Sequence, residues 1–521
     1  MMQHCLADGL PHQFDLFAIF LDRTKEKIPR TAGMRYVPIS RFELVSVMLA
    51  FRRAGKTSRQ QSHFACLIHW TIPLRQPLPR PAKDPSLSVQ QLLLDIFETC
   101  LYVSSVGLIA VGSGFLALIC IKGYDLLGPP HWRNNLPRAF VPEADLPDVL
   151  VQIPLFNEQE VALGAIKSAV ALDWPAAKLH IQMLDDSTDE TPAMIAAEVA
   201  RLRARGVSIT HVRRENRTGF KAGALAAGLK LSSAPLVALL DVDFRPPPHW
   251  LRDAVPVLLA DPDAGFIQSR CEFSNYRTNW LTRVQGLMLD AHFVVEQAGR
   301  FRGGWMFQFN GTGGIWRRAA ISEAGGWSSD SLCEDLDLTV RVALAGWRGL
   351  FLMEPAIPGL VPERISHWRV QQRRWSTGFV QVARKLLRQI WTIPWSFGYK
   401  LSASFLIFVQ LFYPCAAIAV VSFLACLALR GGNVMPYVPL LSLIGALILI
   451  IVTGLTLLPY VALKRGPMWR YLATVVLVPP AMIFISLSNA PSIVKTLFGR
   501  EESFKRTPKS AKAVREAPAR D

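Results

Sequence analysis

Three acidic motifs and one basic-aromatic cluster carry the chemistry legible in this chain. The carboxylates are Asp185-Asp186, Asp241-Val242-Asp243 and Glu334-Asp335, and downstream of them lies Gln371-Gln372-Arg373-Arg374-Trp375. Two carboxylates at alternate positions on an extended segment point the same way and can share a hard divalent ion, Mg2+ or Mn2+, which in turn holds a diphosphate. A carboxylate beside a second carboxylate has its proton affinity tuned by that neighbour, which suits a general base. A guanidinium pairs with phosphate oxygens, and an indole face covers the apolar side of a sugar ring.

Each motif also has a plainer structural use. Asp185-Asp186 follows an apolar run and would serve equally as turn and cap residues, with Thr191-Pro192 a helix cap and first-turn proline. For Asp241 and Asp243, after apolar Leu236 to Leu240, the ion-binding use is the stronger one. Lys221 starts a helix after Gly219, where an ammonium suits phosphate, although a lone lysine is ordinarily a solvated charge. Glu334-Asp335 would also favour the positive end of a helix running from Leu336 to Ala345. The cluster around Arg374 would also fit a basic amphipathic helix on lipid headgroups, the use expected of Gly378 to Trp395 with Arg384, Lys385 and Arg388.

The elements that must position these residues follow from hydrophobic patterning. Asp148–Pro154, Leu179–Leu184, Val207–Val212 and Leu236–Leu240 read as strands; Glu158–Leu172, Thr191–Arg205 and Gly219–Leu231 read as helices between them. This βαβ rhythm predicts a mostly parallel sheet, on which ligands sit at the carboxyl ends of strands, where the aspartates fall. Uncharged runs Leu101–Ile121, Leu401–Leu429 and Val434–Leu463 are long enough to span a bilayer. A further run, Tyr471–Val494, is interrupted by Pro479-Pro480 and Pro491 and flanked by basic residues on both sides. It is expected to be an interfacial or re-entrant helix pair, or a third span after the domain.

The expected organisation is therefore 1–90, a basic, poorly structured region; 91–123, a first span; and 124–395, an aqueous domain ending in an interfacial helix. After it come 396–463, two spans; 464–500, the ambiguous segment; and 501–521, a basic tail. With 521 residues, 51% of them hydrophobic, and a net charge of +17, the chain exceeds one soluble domain, and the charge reads as membrane topology and phosphate binding, not nucleic-acid binding. The eight cysteines have no Cys-x-x-Cys spacing, so neither a disulfide framework nor a zinc site is indicated.

Seven blocks in order resemble the processive family-2 glycosyltransferases, nearest to the cellulose-synthase-like branch with plant mannan and glucomannan synthases and bacterial relatives. They are Gln152–Glu158, Leu184–Asp189, Gly219–Leu225, Asp241–Phe244, Phe309–Gly314, Glu334-Asp335 and Gln371-x-x-Arg374-Trp375. The resemblance implies a GT-A-like domain with a Rossmann-type βαβ half, inserted between transmembrane helices. It implies Asp185 at the nucleobase or ribose, Lys221 at the diphosphate, Asp241 at ribose and metal, and Asp243 at the metal. It further implies Asp335 as the inverting base, Arg374 at the leaving pyrophosphate, and Gln371 and Trp375 at the acceptor sugar. In the tail, Phe504, Thr507 and Lys509 resemble the gating loop of cellulose synthases, with Arg506 where those have valine; a basic tail drawn to anionic lipid explains the same residues. A gating loop must lie on the catalytic side, which requires an even number of crossings after Trp395.

The implied activity is polymerisation of a β-linked hexose chain, β-glucan or mannan, from a nucleotide sugar, with export through an integral protein of the plasma or inner membrane whose catalytic domain is cytoplasmic. Donor identity stays open between UDP-glucose and GDP-mannose, with glucose mildly preferred; the other partners are the growing glycan and the bilayer. Addition of one sugar to ceramide or diacylglycerol is the first alternative. A silent membrane scaffold or nucleotide-sugar sensor is the second, against which the retained carboxylates Asp185, Asp241, Asp243 and Asp335 argue.

Overall fold

The computed structural model describes residues 85–127, 136–463 and 467–499. The expectations for residues 1–84 and for the tail with Phe504, Thr507 and Lys509 fall outside them. Helix α1 (Pro85–Leu127) leads into β1 (Val149–Leu155), α2 (Gln159–Val170), β2 (Leu179–Asp185), α3 (Thr191–Arg203), β3 (Ile209–Arg213), α4 (Phe220–Leu229), β4 (Leu236–Leu239) and α5 (Trp250–Leu259). Then follow β5 (Ala264–Phe273), α6 (Trp280–Ala291), a π-helical turn (His292–Gln297), α7 (Ala298–Arg302), β6 (Gly314–Arg317), α8 (Arg318–Glu323), α9 (Glu334–Leu344) and β7 (Arg348–Gly359). The rest is helical: α10 (Ile365–Thr392), α11 (Phe397–Phe408), α12 (Phe412–Leu429), α13 (Val438–Leu463), α14 (Met468–Val475) and α15 (Val478–Leu497).

The seven strands form one sheet in the order β3-β2-β1-β4-β6-β5-β7. The β3-β2-β1-β4 half is parallel, β6 runs antiparallel to both neighbours, and β5 pairs with β7 in parallel. β1 sits in the middle of the parallel half and is covered on both faces, which is why it reads as a continuous apolar run. Its one polar residue is used: Gln152 donates to Gln182 Oε1 (3.1 Å) and to Leu225 O (3.3 Å), while Gln182 donates to Gly228 O (3.0 Å). Two buried glutamines thus dock α4 onto the sheet. Gly228 permits the approach, since a Cβ there would come within 2.5 Å of Leu184.

By length and composition the described residues hold four helices able to cross a membrane, Val89–Leu127, Phe397–Leu429, Met435–Leu463 and Tyr471–Leu497, and the chain is an integral membrane protein on that ground. α12 runs antiparallel to α1, with Gln90 donating to Leu429 O and Gly107 facing Cys415. α13 runs parallel to α1, with Gly112 against Leu447 and Gly454 against Ile119. α15 packs against both α12, where Tyr413 clusters with Val478, Ala481 and Ile485, and amphipathic α10: Asn489 donates to Ser376 Oγ at 3.1 Å and Arg384 to Thr496 O at 3.0 Å. The contact with α10 advances in the same direction on both helices, so those two are parallel and the described chain ends beside Arg384.

α10 also packs against α9, and near the start of α9 Gly378 leaves room for Cys333. A Cβ at Gly378 would overlap Cys333 Sγ and lie 2.8 Å from the Cys333 backbone nitrogen. Gly378→Ala is therefore expected to destabilise the folded chain by about 1–3 kcal/mol, read as a lowered thermal midpoint in detergent. Gly398→Ala, with no atom within 4 Å of the added methyl, should leave the midpoint unchanged or raise it.

Candidate active site

Lys221 sits in the first turn of α4, immediately after Gly219 and Phe220, both with positive φ, 74° and 47°. Its ammonium lies 2.7 Å from Asp241 Oδ1, 2.9 Å from the Gly311 carbonyl and 3.5 Å from Glu334 Oε1. Burial pulls the lysine proton affinity down, but Asp241, Glu334 and Asp335 outweigh it and hold the ammonium charged. Lys221 thus draws together carboxylates from the carboxyl end of β4 and the amino end of α9.

Asp241 and Asp243 occupy a turn, not the extended segment expected, because Phe244 N bonds back to Asp241 O at 2.9 Å. Both still line the same cavity. Asp243 is 2% exposed and its Oδ2 accepts Leu360 N, from the residue after β7, at 3.3 Å. Among the described residues no cluster of three or more His, Cys, Asp or Glu could hold a metal by itself. Two carboxylates offer hard oxygen ligands of the kind Mg2+ and Mn2+ take, in sites completed by substrate phosphates and water.

The strand reversal at β6 brings the loop 308–313 to this edge. Asp241 N donates to Thr312 Oγ1 at 2.9 Å and Gly313 N to Leu239 O at 2.8 Å. Gly311, at φ 75°, is the point of closest approach: a Cβ there would stand 3.0 Å from Asp335 Oδ2 and 3.3 Å from Lys221 Nζ. Asp335 lies in the first turn of α9, where its Oδ1 accepts Leu336 N at 2.8 Å. Burial and then the Glu334 charge push its carboxyl up to about 7, against the opposing pull of Lys221 and Arg374. A carboxylate with this proton affinity is matched to taking a proton near neutral pH.

Asp185 is placed differently from its neighbour. It is 1% exposed, with Oδ1 accepting Ser187 N and Oδ2 bonded to His211 Nε2, both at 2.8 Å. Burial opposes its ionisation, but those bonds outweigh it and its proton affinity is lowered. Asp186 lines the cavity instead, bonded to Arg214 at 2.9 Å through Nε. Beside it the Arg217 guanidinium lies 3.4 Å from the centre of the Phe156 ring. Arg214 carries no distinctive spacing, whereas Asp186 was visible as half of an acidic pair and Phe156 as part of the block Gln152–Glu158.

Gln371, Arg374 and Trp375 lie on one face of α10 and line the cavity with Asp335. The Trp375 carbonyl accepts a weak bond from Cys333 Sγ at 3.7 Å, and Leu332 N donates to Gln381 Oε1 at 2.8 Å, so α10 holds the start of α9. Next to this cluster is a buried network absent from the sequence reading. Tyr413 OH donates to Gln372 Oε1 (3.2 Å) and Ser376 Oγ to Gln410 Oε1 (3.2 Å). One cavity of about 790 Å³ joins these groups to the space between the helices, passing Phe115 of α1, Phe423 of α12, Ile448 of α13 and Met482 of α15.

Residues 236–487 match the family model described as Glycosyl transferase family group 2. Over 251 residues the chain is 44% identical to glucomannan 4-beta-mannosyltransferase 2 of Arabidopsis thaliana, an alignment that covers 47% of each chain. Over 248 residues it is 42% identical to glucomannan 4-beta-mannosyltransferase 1 of Oryza sativa subsp. japonica, covering 47% of this chain and 48% of that one. The chain thus spans about half the length of the curated relatives it matches. Among solved structures, a mannosyltransferase from Pyrobaculum calidifontis in complex with GDP-Man and Mn2+ shares the fold, with a TM-score of 0.53, 20% identity, and 77% of this chain and all of that one covered. The similarity to family-2 glycosyltransferases of the mannan-synthase-like branch, and the GT-A-like fold it implies, are both found.

Replacing Glu334 by Gln removes the charge that raises Asp335, so the Asp335 titration should move below 7; Lys221→Met should move it up. Both shifts are measurable in the carboxyl band of pH-difference infrared spectra, assigned by its loss in Asp335→Asn.

Proposed function

We propose that this chain is an inverting hexosyltransferase that adds mannosyl units from GDP-mannose to a β-linked glycan and passes the product between its own helices. The observation that carries the reading is the single cavity linking Asp335 and Lys221 to the apolar space bounded by α1, α12, α13 and α15. The donor departs from the mild preference for glucose, because the relatives are named as mannosyltransferases and a solved structure with this fold holds GDP-Man.

In this reading Lys221 and Arg374 contact the diphosphate, Asp241 and Asp243 hold the metal, and Asp186, more than Asp185, faces the nucleoside. A bound Mg2+ or Mn2+ supplies charge neutralisation to the departing diphosphate. Trp375 and Gln371 hold the terminal acceptor sugar so that its hydroxyl faces the anomeric carbon. The hydroxyl oxygen forms the new bond as its proton passes to Asp335. The bond from the anomeric carbon to phosphate oxygen breaks, and its electron pair leaves with the diphosphate. Attack from the face opposite the leaving group inverts the centre.

In this reading two helices cross after the domain and α14 and α15 lie at the interface, the arrangement that returns the tail to the catalytic side. The basic Lys464, Arg465 and Arg470 support a cytoplasmic position for that side.

The test is radiolabel incorporation by the purified full chain with Mn2+ or Mg2+, comparing GDP-mannose with UDP-glucose and separating products by solvent extraction. Label from GDP-mannose in a high-mass product is expected. Its rate should fall about tenfold per pH unit below 7, where Asp335 is protonated, and should be lost in Asp335→Asn or with a chelator. Label confined to the organic phase would overturn the polymerase in favour of a lipid transferase.

A further inference from the structure

Behind the loop that carries Gly311 runs a buried polar chain that the carboxylate site does not use. It begins in the π-helical turn His292–Gln297, a geometry that redirects side chains and recurs at functional sites. His292 Nδ1 lies 2.8 Å from Glu296 Oε2, and its Nε2 lies 2.9 Å from Asn310 Oδ1. The Asn310 amide is oriented by its own neighbours, Oδ1 accepting from Gln308 Nε2 at 3.2 Å and Nδ2 donating to Gln308 O at 3.5 Å. Both partners of the ring are therefore oxygen acceptors, and an imidazole that donates from both nitrogens carries a positive charge.

The chain continues on the other side. Glu296 Oε1 meets Arg300 Nη2 at 3.3 Å, and fully buried Arg300 donates to Met306 O at 3.4 Å and to Ser402 O, on α11, at 3.3 Å. The charged groups acting on the ring are Glu296 and Arg300, and the loop facing it contributes the neutral amides of Asn310 and Gln308. Burial opposes charge on His292, but Glu296 outweighs it and its proton affinity is raised, while Glu296 itself is held to about 2 despite its burial. An apolar trio would pack this space without the desolvation cost of three buried charges, so the charges point to orientation of the loop.

We propose that His292 is a positioning residue for the diphosphate-binding lysine: as a double donor between Glu296 and Asn310 it holds loop 308–313 where the Gly311 carbonyl accepts Lys221. His292, Glu296 and Asn310 all border the cavity that holds Lys221, and Arg300 ties the same chain to the first helix after the domain. The position of that helix is thereby linked to the lysine. The inference rests on the transfer reading only for the identity of the ligand that Lys221 meets.

Two measurements test it on the full chain in detergent. The first is the nitrogen-15 spectrum of histidine-labelled protein at pH 8, with His292 assigned by its loss in His292→Gln. A doubly protonated ring is expected, becoming singly protonated in Glu296→Gln; a neutral ring in the unmutated chain would overturn the proposal whether or not any sugar is transferred. The second is binding of GDP or UDP, whichever the unmutated chain binds, in the presence of Mn2+. His292→Ala should weaken binding about tenfold, and His292→Ala with Lys221→Met should bind no more weakly than Lys221→Met alone. Losses that multiply would show that His292 acts independently of Lys221 and would sink the idea. If neither nucleotide binds, the donor reading fails and the histidine spectrum still decides.

Discussion

One ammonium group organises the polar edge of the sheet in this protein. Lys221 stands between Asp241, Glu334 and the Gly311 carbonyl, so three segments far apart in sequence share a single cation. Without it, the carboxylates of the β4 turn and of α9 would face one another across a partly buried site, where like charges are costly. With it, they converge, and Asp335 is left with competing influences: burial and Glu334 raise its proton affinity, Lys221 lowers it. The proton affinity of Asp335 thus depends on where one helix begins. That beginning depends on Gly219 at positive φ and on the buried glutamines that dock α4.

The same edge is continuous with the membrane helices because α10 serves both. One of its faces carries Gln371, Arg374 and Trp375 into the cavity, while Gln372 and Ser376 bond to Tyr413 and Gln410 at the entry to α12. Gly378 lets α10 meet the cap of α9, next to Asp335. A shift of this helix would move Gln371, Arg374 and Trp375, Asp335 and the start of α12 together. Buried polar contacts of this kind set geometry more than they add stability.

Much of the fold was legible in the residues. The apolar runs that became β1, β2 and β4 are buried parallel strands, and the uncharged stretches became long apolar helices, since burial on both faces and a bilayer core both demand continuous hydrophobicity. Periodicity, however, does not report packing partners. That α15 lies along α10 is set by Asn489, Ser376, Arg384 and Thr496, and a composition of prolines and apolar residues could equally describe a span.

The site divides in the same way. Residue type and order picked out Asp241, Asp243, Lys221, Asp335, Gln371, Arg374 and Trp375, and the folded chain brings all seven to one cavity. Of the adjacent pair the resemblance pointed to Asp185, whereas Asp186 lines the cavity, since which of two neighbours faces a cavity depends on what waits on either side. His211 and Ser187 take Asp185 inward and Arg214 and Arg217 accompany Asp186 outward. His292, Glu296 and Arg300 are spaced four apart, a pattern that solvated helices also show. Sequence by itself determined which chemistry is available; three-dimensional packing decided which groups are charged, which are turned inward and which share a cavity, because those properties belong to pairs of residues that meet only when the chain is folded.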